Sequence, residues 1–298
     1  MLGFGTNAVD FLITVPEFPA FASKVELSGY ERAAGGEIAS TMIGLQRLGM
    51  NTAYSGSFGD DDAGDFGRAS LAEASVDLSF TKRVHGAQTQ IAFIVIDERT
   101  GERTVIWKRD PMLAFCSDDA PVEAVSDCSI LHMTPHDTAA CIRLAKAARK
   151  HRTVVSLDID NVFNRIGELL PLVDILIGSS EFPFRITGIR DERLALIDIQ
   201  KKFGNTLVGM TLGDNGSLLL CNDEFIETPG FEVPGGCKDT TGAGDAFRVG
   251  FLYGLLSEQT VEVAARIANA VAALKCRAVG ARTALPNPKE LDAFLRNS

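Results

Sequence analysis

The chain has 298 residues and a mass of 32.0 kDa, which is enough for one large α/β domain or for two average domains. Its 39 acidic residues outnumber its 29 basic residues, and the net charge of −10 disfavours nucleic acid and anionic membranes as partners. The segment from Met1 to Val15 lacks the features of a secretion signal, and no apolar run approaches the ~20 residues that span a bilayer, so we expect a cytoplasmic protein.

The first predicted strand ends in a turn that contains two glycines, Gly3-Phe4-Gly5-Thr6-Asn7, and Asp10 follows this turn. The spacing Gly3-x-Gly5-x-x-Ala8 is a weak fingerprint of a dinucleotide-binding turn, which indicates a nicotinamide-dependent oxidoreductase as an alternative function. That fingerprint requires a helix after Ala8, whereas the segment from Phe11 to Pro16 is rich in strand-forming residues and ends in proline. The residues therefore favour an extended segment here.

Two segments consist of extended pieces without crossover helices, namely Phe11 to Glu31 and Gln90 to Lys108. The second is a predicted hairpin that turns at Arg99-Thr100-Gly101. Together they predict a small separate sheet, formed discontinuously by about residues 11–31 and 88–110 of a single domain that spans residues 1–298. We call this sheet the lid.

A double glycine, Gly35-Gly36, precedes a helical pattern that ends at Gly49. Adjacent glycines allow a ligand to approach the backbone closely, or they allow a helix to pack tightly against a strand. Both interpretations of the double glycine stay open at the level of the residues alone.

Short strand-like runs alternate with helical patterns from about Thr52 to the C-terminus. Such alternation predicts an α/β fold in which a parallel sheet is covered by helices on both faces. The clearest runs are the strands Ser129 to Met133, Thr153 to Asp158, Asp174 to Ile177 and Leu207 to Thr211, and the helices Thr138 to Lys150, Glu192 to Phe203 and Val261 to Lys275.

Late in the chain, the run from Asp239 to Phe247 reads Asp-Thr-Thr-Gly-Ala-Gly-Asp-Ala-Phe and opens an amphipathic helical pattern. The backbone amides of Gly242, Ala243, Gly244 and Asp245 are expected to point outward at the positive end of the helix dipole, which forms an anion hole suited to phosphate. A carboxylate at this place, Asp245, suits a base that takes a proton from an attacking hydroxyl beside the phosphate. The run therefore predicts phosphoryl transfer to an alcohol.

The same run, Asp239 to Asp245, resembles the C-terminal signature of the ribokinase-like (PfkB) family of carbohydrate kinases. The resemblance implies a three-layer α/β/α core with a mostly parallel sheet and a small β-sheet lid that closes over the sugar. In that family the lid often mediates dimerisation, so we expect a homodimer through the lid. No Gly-x-x-x-x-Gly-Lys-Ser/Thr run occurs in the chain, which excludes a P-loop kinase.

On the substrate side, the resemblance assigns Asp10 and the glycines Gly35 and Gly36 to binding of the sugar. The family often has asparagine where this chain has Ser40, which changes the hydrogen bonds offered to the sugar. Arg109 ends a lid strand, where the similar keto-deoxy-gluconate kinases carry an arginine for a sugar-acid carboxylate. An exposed arginine without a ligand is the alternative interpretation of Arg109.

On the nucleotide side, Thr211, Gly213 and Gly216 resemble the family's Thr-x-Gly-x-x-Gly turn, which approaches the ATP phosphates. By themselves they form an ordinary hairpin turn. Asn269 matches a family position near the adenine pocket. The alternative interpretation is that Asn269 lies on the exposed surface of its helix and has no ligand.

Magnesium is expected because the negative charge of the transferring phosphates must be neutralised. The family's Asn-x-x-Glu motif serves that purpose, and Glu181 matches its glutamate while Gly178 replaces its asparagine. A monovalent cation such as K⁺ often supports the family's anion hole through the loop that corresponds to Gly280 to Ala284.

These observations predict an ATP-dependent sugar kinase that transfers the γ-phosphoryl group of ATP to a hydroxyl of a sugar or sugar acid, with Asp245 as general base. Glu37 follows the double glycine where phosphosugar kinases often carry lysine, which favours a substrate without a phosphate. A nucleoside kinase of the same fold and a non-catalytic sugar-binding protein are the remaining alternatives, besides the oxidoreductase.

Overall fold

The strands form one large sheet, one smaller sheet and a two-stranded ribbon in the computed structural model, which describes residues 1–298. The strands are β1 Leu2–Phe4, β2 Ala8–Val15, β3 Gly29–Gly35, β4 Ala53–Ser55, β5 Ser57–Gly59, β6 Lys82–Val84, β7 Ile91–Asp97, β8 Arg103–Lys108, β9 Ile130–Met133, β10 Val154–Ile159, β11 Ile175–Gly178, β12 Leu207–Thr211, β13 Ser217–Cys221 and β14 Glu224–Thr228. The helices are α1 Glu37–Arg47, α2 Asp62–Glu73, α3 Thr138–His151, α4 Ile166–Leu169, α5 Phe182–Thr187, α6 Glu192–Phe203, α7 Ala243–Leu256, α8 Val261–Lys275 and α9 Pro288–Asn297.

The large sheet has eight strands in the order β14-β13-β12-β11-β10-β9-β1-β4. All neighbours from β4 to β12 are parallel, and only the hairpins β12–β13 and β13–β14 are antiparallel. This topology confirms the predicted α/β fold with a mostly parallel sheet. The ends of β9, β10 and β11 differ from the predicted ones by at most one residue, and those of β12 coincide with them.

Helices cover both faces of the large sheet because its buried strands are apolar on both sides. On β11, Leu176 packs into the core that contains the buried faces of α3 and α6. Its neighbours Ile175 and Ile177 point to the other face and pack against α7 and α8. The three layers are therefore helix, sheet and helix, as predicted.

Local signals set the ends of the helices, as α6 illustrates. The Asp191 carboxylate accepts a hydrogen bond from the amide of Leu194 at 2.9 Å and caps the first turn. Gly204 ends the helix with a φ of 76°, a left-handed conformation that glycine adopts without strain. The bounds of α6 and of α8 are those predicted from the sequence.

The smaller sheet is the lid, with strand order β3-β2-β7-β8, and its β7–β8 pair is the predicted hairpin. Its inner face packs through a small cluster that contains Leu12, Ala92, Ile94 and Ile96. The strand β2 begins at Ala8, so a strand stands where the dinucleotide fingerprint requires a helix. None of the helices of the fold has the length and apolar character needed to cross a bilayer.

Candidate active site

A cavity of about 840 Å³ lies between the lid and the carboxyl ends of the large sheet's parallel strands. In α/β folds this edge is the usual place for ligands, because loops and helix N-termini converge there. Its lining includes many of the residues predicted for the site, namely Asp10, Gly36, Thr211, Gly213, Gly216, Gly242, Ala243, Gly244, Asp245 and Asn269. Gly35, Ser40, Arg109 and Glu181 do not line it.

The predicted anion-hole turn forms the N-terminus of α7. Gly242 precedes the helix with a φ of 74°, and a side chain there would meet the Cβ atom of Ala281 at 2.7 Å. The prediction that the amide of Ala243 points outward is wrong, because this amide donates to the carbonyl of Thr240 at 3.1 Å and closes the turn. The amides of Gly242, Gly244 and Asp245 have no acceptor within the protein, so these three are free to bind an anion.

Arg248, which the sequence analysis did not single out, holds this turn against the sheet. Its buried guanidinium donates to the carbonyl of Gly244 at 3.1 Å and to the carbonyl of Ile177 in β11 at 2.9 Å. It also pairs with the carboxylate of Asp158, at the end of β10, at 2.6 Å. The sequence signal that could have identified Arg248 is its charge, one turn after the start of the otherwise mostly apolar helix α7.

Asp245 lies in the cavity beside the free amides. Burial raises the pKa of its carboxyl to about 7, the Asp158 carboxylate adds to the increase, and Arg248 and Arg103 oppose it. A carboxylate whose pKa lies near neutrality both takes and releases a proton readily at that pH. The side chain therefore has the protonation behaviour of a general base.

Asp10 lies in β2 of the lid and lines the cavity. Burial raises the pKa of Asp10 to about 6, while the charge of Arg282 lowers it. A Cβ atom on Gly35 would overlap the Asp10 carboxylate, so the glycine is needed for this carboxylate to keep its place. The first glycine of the pair thus positions Asp10, and Gly36 itself lines the cavity.

Arg282 is a second residue that the sequence analysis missed. Its buried guanidinium donates to the hydroxyls of Ser40 and Ser70, each at 3.0 Å, and to the carbonyl of Gly35. Burial lowers its pKa to about 10, which still leaves it charged at neutral pH. The Ser40 hydroxyl therefore contacts Arg282 behind the cavity wall, and its expected contact with the sugar stays a prediction.

Glu37 places a further carboxylate in the cavity. Its Oε2 atom accepts a hydrogen bond from Thr6 at 3.0 Å and lies 3.7 Å from Nδ1 of His136. Burial, together with the carboxylates of Asp158 and Asp245, raises its pKa well above the usual range. The raised pKa favours the protonated form of Glu37, so this side chain can donate a hydrogen bond as well as accept one.

Two of the predicted site residues are paired elsewhere. Arg109 makes a two-pronged ion pair with Asp137, at 3.1 and 2.7 Å, and donates to the carbonyl of Leu113 at 3.2 Å. Glu181 pairs with Arg185 one turn further along and is exposed. In this conformation neither side chain faces the cavity, so their expected roles stay predictions.

The residues predicted to bind the nucleotide lie at or beside the β12–β13 hairpin. Thr211 ends β12, and the turn that follows closes with the amide of Leu212 donating to the carbonyl of Gly216 at 2.8 Å. Asn269 on α8 is buried, and its side-chain amide donates to the hydroxyl of Ser217 at 3.3 Å and to the carbonyl of Thr228 at 3.1 Å. Asn269 is thus no exposed helix residue; it fixes α8 against the hairpin.

The residues of the cavity do not form a metal site on their own, since no three carboxylate, histidine or cysteine side chains converge. This fits Mg²⁺, which binds mainly through phosphate oxygens and water with one or two protein carboxylates. Asp160, Asp214 and Glu102 line the cavity and have no ion-pair partner, whereas Glu181 lies outside the lining and is paired with Arg185. The first three carboxylates are therefore free to bind the ion in this conformation, and Glu181 would first have to leave Arg185.

The residues beside the Gly280 to Ala284 loop do not fit a bound K⁺ ion. The buried carboxylate of Asp239 accepts hydrogen bonds from the amides of Thr241 and Gly280, each at 2.8 Å. The remaining positive group at this place is the ammonium of Lys275, 3.7 Å from the carboxylate and with no exposure to solvent. A second cation there would face a like charge in a buried environment.

Comparisons with known proteins agree with this geometry. Residues 3–288 match the family model described as pfkB family carbohydrate kinase. The chain is 28% identical over 290 residues to an ATP-dependent ribose-1-phosphate kinase of Halopiger xanaduensis, covering 96% of this chain and 94% of that protein. It is 27% identical to a ribokinase of Haemophilus influenzae, and the match covers 99% of this chain and 97% of that protein.

The fold is similar to solved ribokinase structures over its whole length. Ribokinase from Giardia lamblia has a TM-score of 0.89 at 20% identity and covers 100% of this chain and 99% of its own. Arabidopsis thaliana ribokinase, solved with ribose and ATP, has a TM-score of 0.83 at 24% identity, with coverages of 100% and 98%. The chain therefore belongs to the pfkB family of carbohydrate kinases and is a sugar or nucleoside kinase with the ribokinase fold.

Proposed function

We propose that this enzyme transfers the γ-phosphoryl group of ATP to a hydroxyl of a neutral, non-phosphorylated sugar. The observation that carries the proposal is Asp245, a carboxylate with a pKa of about 7 beside three unpaired backbone amides. ATP as phosphoryl donor is supported by the similar fold of the A. thaliana ribokinase, which was solved with ribose and ATP.

In the proposed reaction, the Asp245 carboxylate accepts the proton of the attacking sugar hydroxyl. The hydroxyl oxygen forms a bond to the γ-phosphorus while the bond from that phosphorus to the bridging oxygen breaks, and ADP leaves. The amides of Gly242, Gly244 and Asp245 stabilise the charge that spreads over the transferring phosphoryl oxygens. Magnesium, for which we assign Asp160 and, once it leaves Arg185, Glu181, would neutralise the phosphate charge.

Positioning is the contribution of the remaining cavity residues. Asp10 accepts hydrogen bonds from sugar hydroxyls, Glu37 donates to them or accepts from them, and both so orient the acceptor toward Asp245. Arg248 fixes the anion-hole turn to the sheet, so that its amides are already aligned when the phosphates arrive.

The charges of the cavity support a neutral substrate. The carboxylate of Asp10, whose pKa of about 6 leaves it mostly ionised at neutral pH, would repel a phosphate or carboxylate on the substrate. Arg109, the residue expected to bind a sugar acid, is already paired with Asp137. The similarity to a ribose-1-phosphate kinase favours a phosphorylated substrate instead, so the test includes ribose 1-phosphate.

The test is ADP release by the purified enzyme with Mg-ATP over hexoses, ketoses, pentoses, keto-deoxy acids, ribose 1-phosphate and nucleosides. We expect turnover with a neutral sugar and little with the charged acceptors. Turnover with nucleosides instead would favour the second candidate function, a nucleoside kinase. The chain is 25% identical to a nucleoside kinase of Methanothermobacter thermautotrophicus.

The pH dependence follows from the raised pKa of Asp245, since the base must be deprotonated to act. We expect kcat/KM to rise tenfold per pH unit up to about pH 7 and then to level off. Below about pH 6, protonation of Asp10 should steepen the decline. The measurement is kcat/KM for the sugar between pH 5 and 9, and a flat profile over that range would exclude Asp245 as the base.

We also propose that the outer face of the lid binds a second copy of the chain. The rings of Phe11 and Phe93 stack there with centroids 5.1 Å apart, and Phe93 keeps 42% of its surface exposed. Ile106, which pairs with Phe93 across β7 and β8, is 61% exposed. A row of exposed apolar side chains on a sheet is typical of a protein interface.

Light scattering after size exclusion tests this interface. The wild type is expected to have the mass of a dimer, and Phe93→Glu to have that of a monomer, because a charge would be buried in the apolar contact. Leu194→Glu, on the exposed side of α6, is the matched control and should stay dimeric. A monomeric wild type, or a dimeric Phe93→Glu variant, would place the interface elsewhere or remove it.

A further inference from the structure

A fully buried lysine lies directly behind the anion-hole turn. Lys275 is the last residue of α8, and neither its side chain nor that of Asp239 has any exposed surface. The ammonium donates to the backbone carbonyl of Asp239 at 2.7 Å and lies 3.7 Å from its carboxylate. A lysine buried to this extent is rare unless it is paired, and Asp239 is its only partner within ion-pair distance.

Asp239 connects this ammonium to the two segments that shape the anion hole. One oxygen of its carboxylate accepts the amide of Thr241, in the turn itself, at 2.8 Å. The other accepts the amide of Gly280, in the C-terminal loop, at 2.8 Å. That loop packs on the turn, because Ala281 leaves no room for a side chain on Gly242.

The ammonium thus lies where the end of α8, the anion-hole turn and the C-terminal loop meet. Its charge balances the buried Asp239 carboxylate, which would otherwise be uncompensated beside a site that binds phosphates. It also places a fixed positive charge on the far side of the turn from the anion, in addition to the helix dipole. A bound monovalent cation at this position would have the same two effects.

We propose that Lys275 acts as a built-in monovalent cation that positions the anion-hole turn, so that the enzyme binds no K⁺ there and does not depend on it. Burial lowers the pKa of Lys275, and the Asp239 carboxylate opposes that change. A single carboxylate offers no compensation for a second cation a few ångströms from the ammonium. Lys275 is a positioning residue in this proposal, since it contacts the turn and not the substrate.

The first test measures the thermal midpoint of the purified full-length protein in choline, sodium and potassium chloride at equal ionic strength. For the wild type we expect the same midpoint in all three salts, and the same increase when Mg-ATP is added. A midpoint or an ATP-induced increase that is specifically larger in K⁺ would overturn the proposal, even if no Lys275 variant folds.

Two substitutions separate charge from volume. Lys275→Ala leaves a cavity beside an uncompensated carboxylate, so we expect a lower midpoint in choline that K⁺ or ammonium ions partly restore. Lys275→Met fills most of the volume without a charge, so we expect a lower midpoint that no cation restores. Lys150→Ala, an exposed lysine at the end of α3, is the control and should respond to no cation. A Lys275→Ala variant as stable as the wild type in choline would contradict the proposal.

Kinetics give a second, separate readout, which rests on the proposed kinase function. With an accepted sugar, the wild-type kcat should be the same within about twofold with and without K⁺, while Lys275→Met should lose at least about tenfold in kcat. If no sugar is turned over, the proposed function fails, but the cation dependence of the thermal midpoint still decides the role of Lys275.

Discussion

Replacing Asp245 with asparagine is expected to reduce kcat by at least about 10²- to 10⁴-fold, the usual contribution of a general base. Asparagine has nearly the same shape and keeps the backbone amide of residue 245 in the anion hole. It cannot accept the proton of the attacking hydroxyl, because an amide is a far weaker base than a carboxylate. Nucleotide binding should therefore stay close to that of the wild type while turnover is lost.

The stability of the same variant gives an independent check that the loss is chemical. The pKa of Asp245 is raised from its ordinary value to about 7, so the folded protein favours the protonated form. Its stabilising contribution is complete below the ordinary pKa and is lost as the pH rises through about 7. At pH 8 the ionised carboxylate opposes folding beside Asp158, and asparagine removes that charge.

We therefore expect Asp245→Asn to unfold at a higher temperature than the wild type at pH 8, and the difference to shrink toward pH 5. Asp292→Asn, an exposed aspartate on α9, is the control and should change neither turnover nor the thermal midpoint. Wild-type turnover in Asp245→Asn would disprove the base assignment. A large loss of stability would mean that unfolding, and not the missing base, explains the lost activity.

The parts of the structure that could be predicted from the sequence are those specified by neighbouring residues. The helix α6 begins at the cap residue Asp191 and ends at Gly204, and both signals lie within a few positions of the ends. The anion-hole turn is likewise a local feature, since its glycines and Asp245 occupy successive positions. The conformation of such segments depends on residues within a few positions, so it can be predicted without knowledge of the tertiary fold.

The contacts between distant charged residues could not be predicted in this way. Arg282 contacts Ser40 across 242 positions of sequence, and Lys275 contacts Asp239 across 36. The sequence shows that an arginine is present, but not which carboxylate or hydroxyl the fold brings to it. For the same reason the sequence predicts a ligand for Arg109 but does not show that Asp137 pairs with it in the fold.

The second large effect is expected at Gly242, where an alanine would lower kcat by about 10²- to 10³-fold, as does the loss of one donor from an anion hole. Gly242 has a φ of 74°, so any side chain adds backbone strain of about 1 kcal/mol. The larger effect is steric, because the new Cβ atom would lie 2.7 Å from the Cβ and 2.9 Å from the Cα atom of Ala281. Either the turn or the C-terminal loop must move, and the amides then lose their alignment.

Gly204→Ala is a matched control for this variant. Gly204 has nearly the same backbone conformation, with a φ of 76°, but a side chain there would meet nothing within 4 Å. The control therefore reports the backbone strain alone, which should lower the thermal midpoint slightly and leave kcat unchanged. Measuring kcat, the KM for ATP and the thermal midpoint of both variants separates strain from misalignment. If Gly242→Ala keeps a kcat within about threefold of Gly204→Ala, the amides of this turn do not stabilise the transferring phosphoryl group.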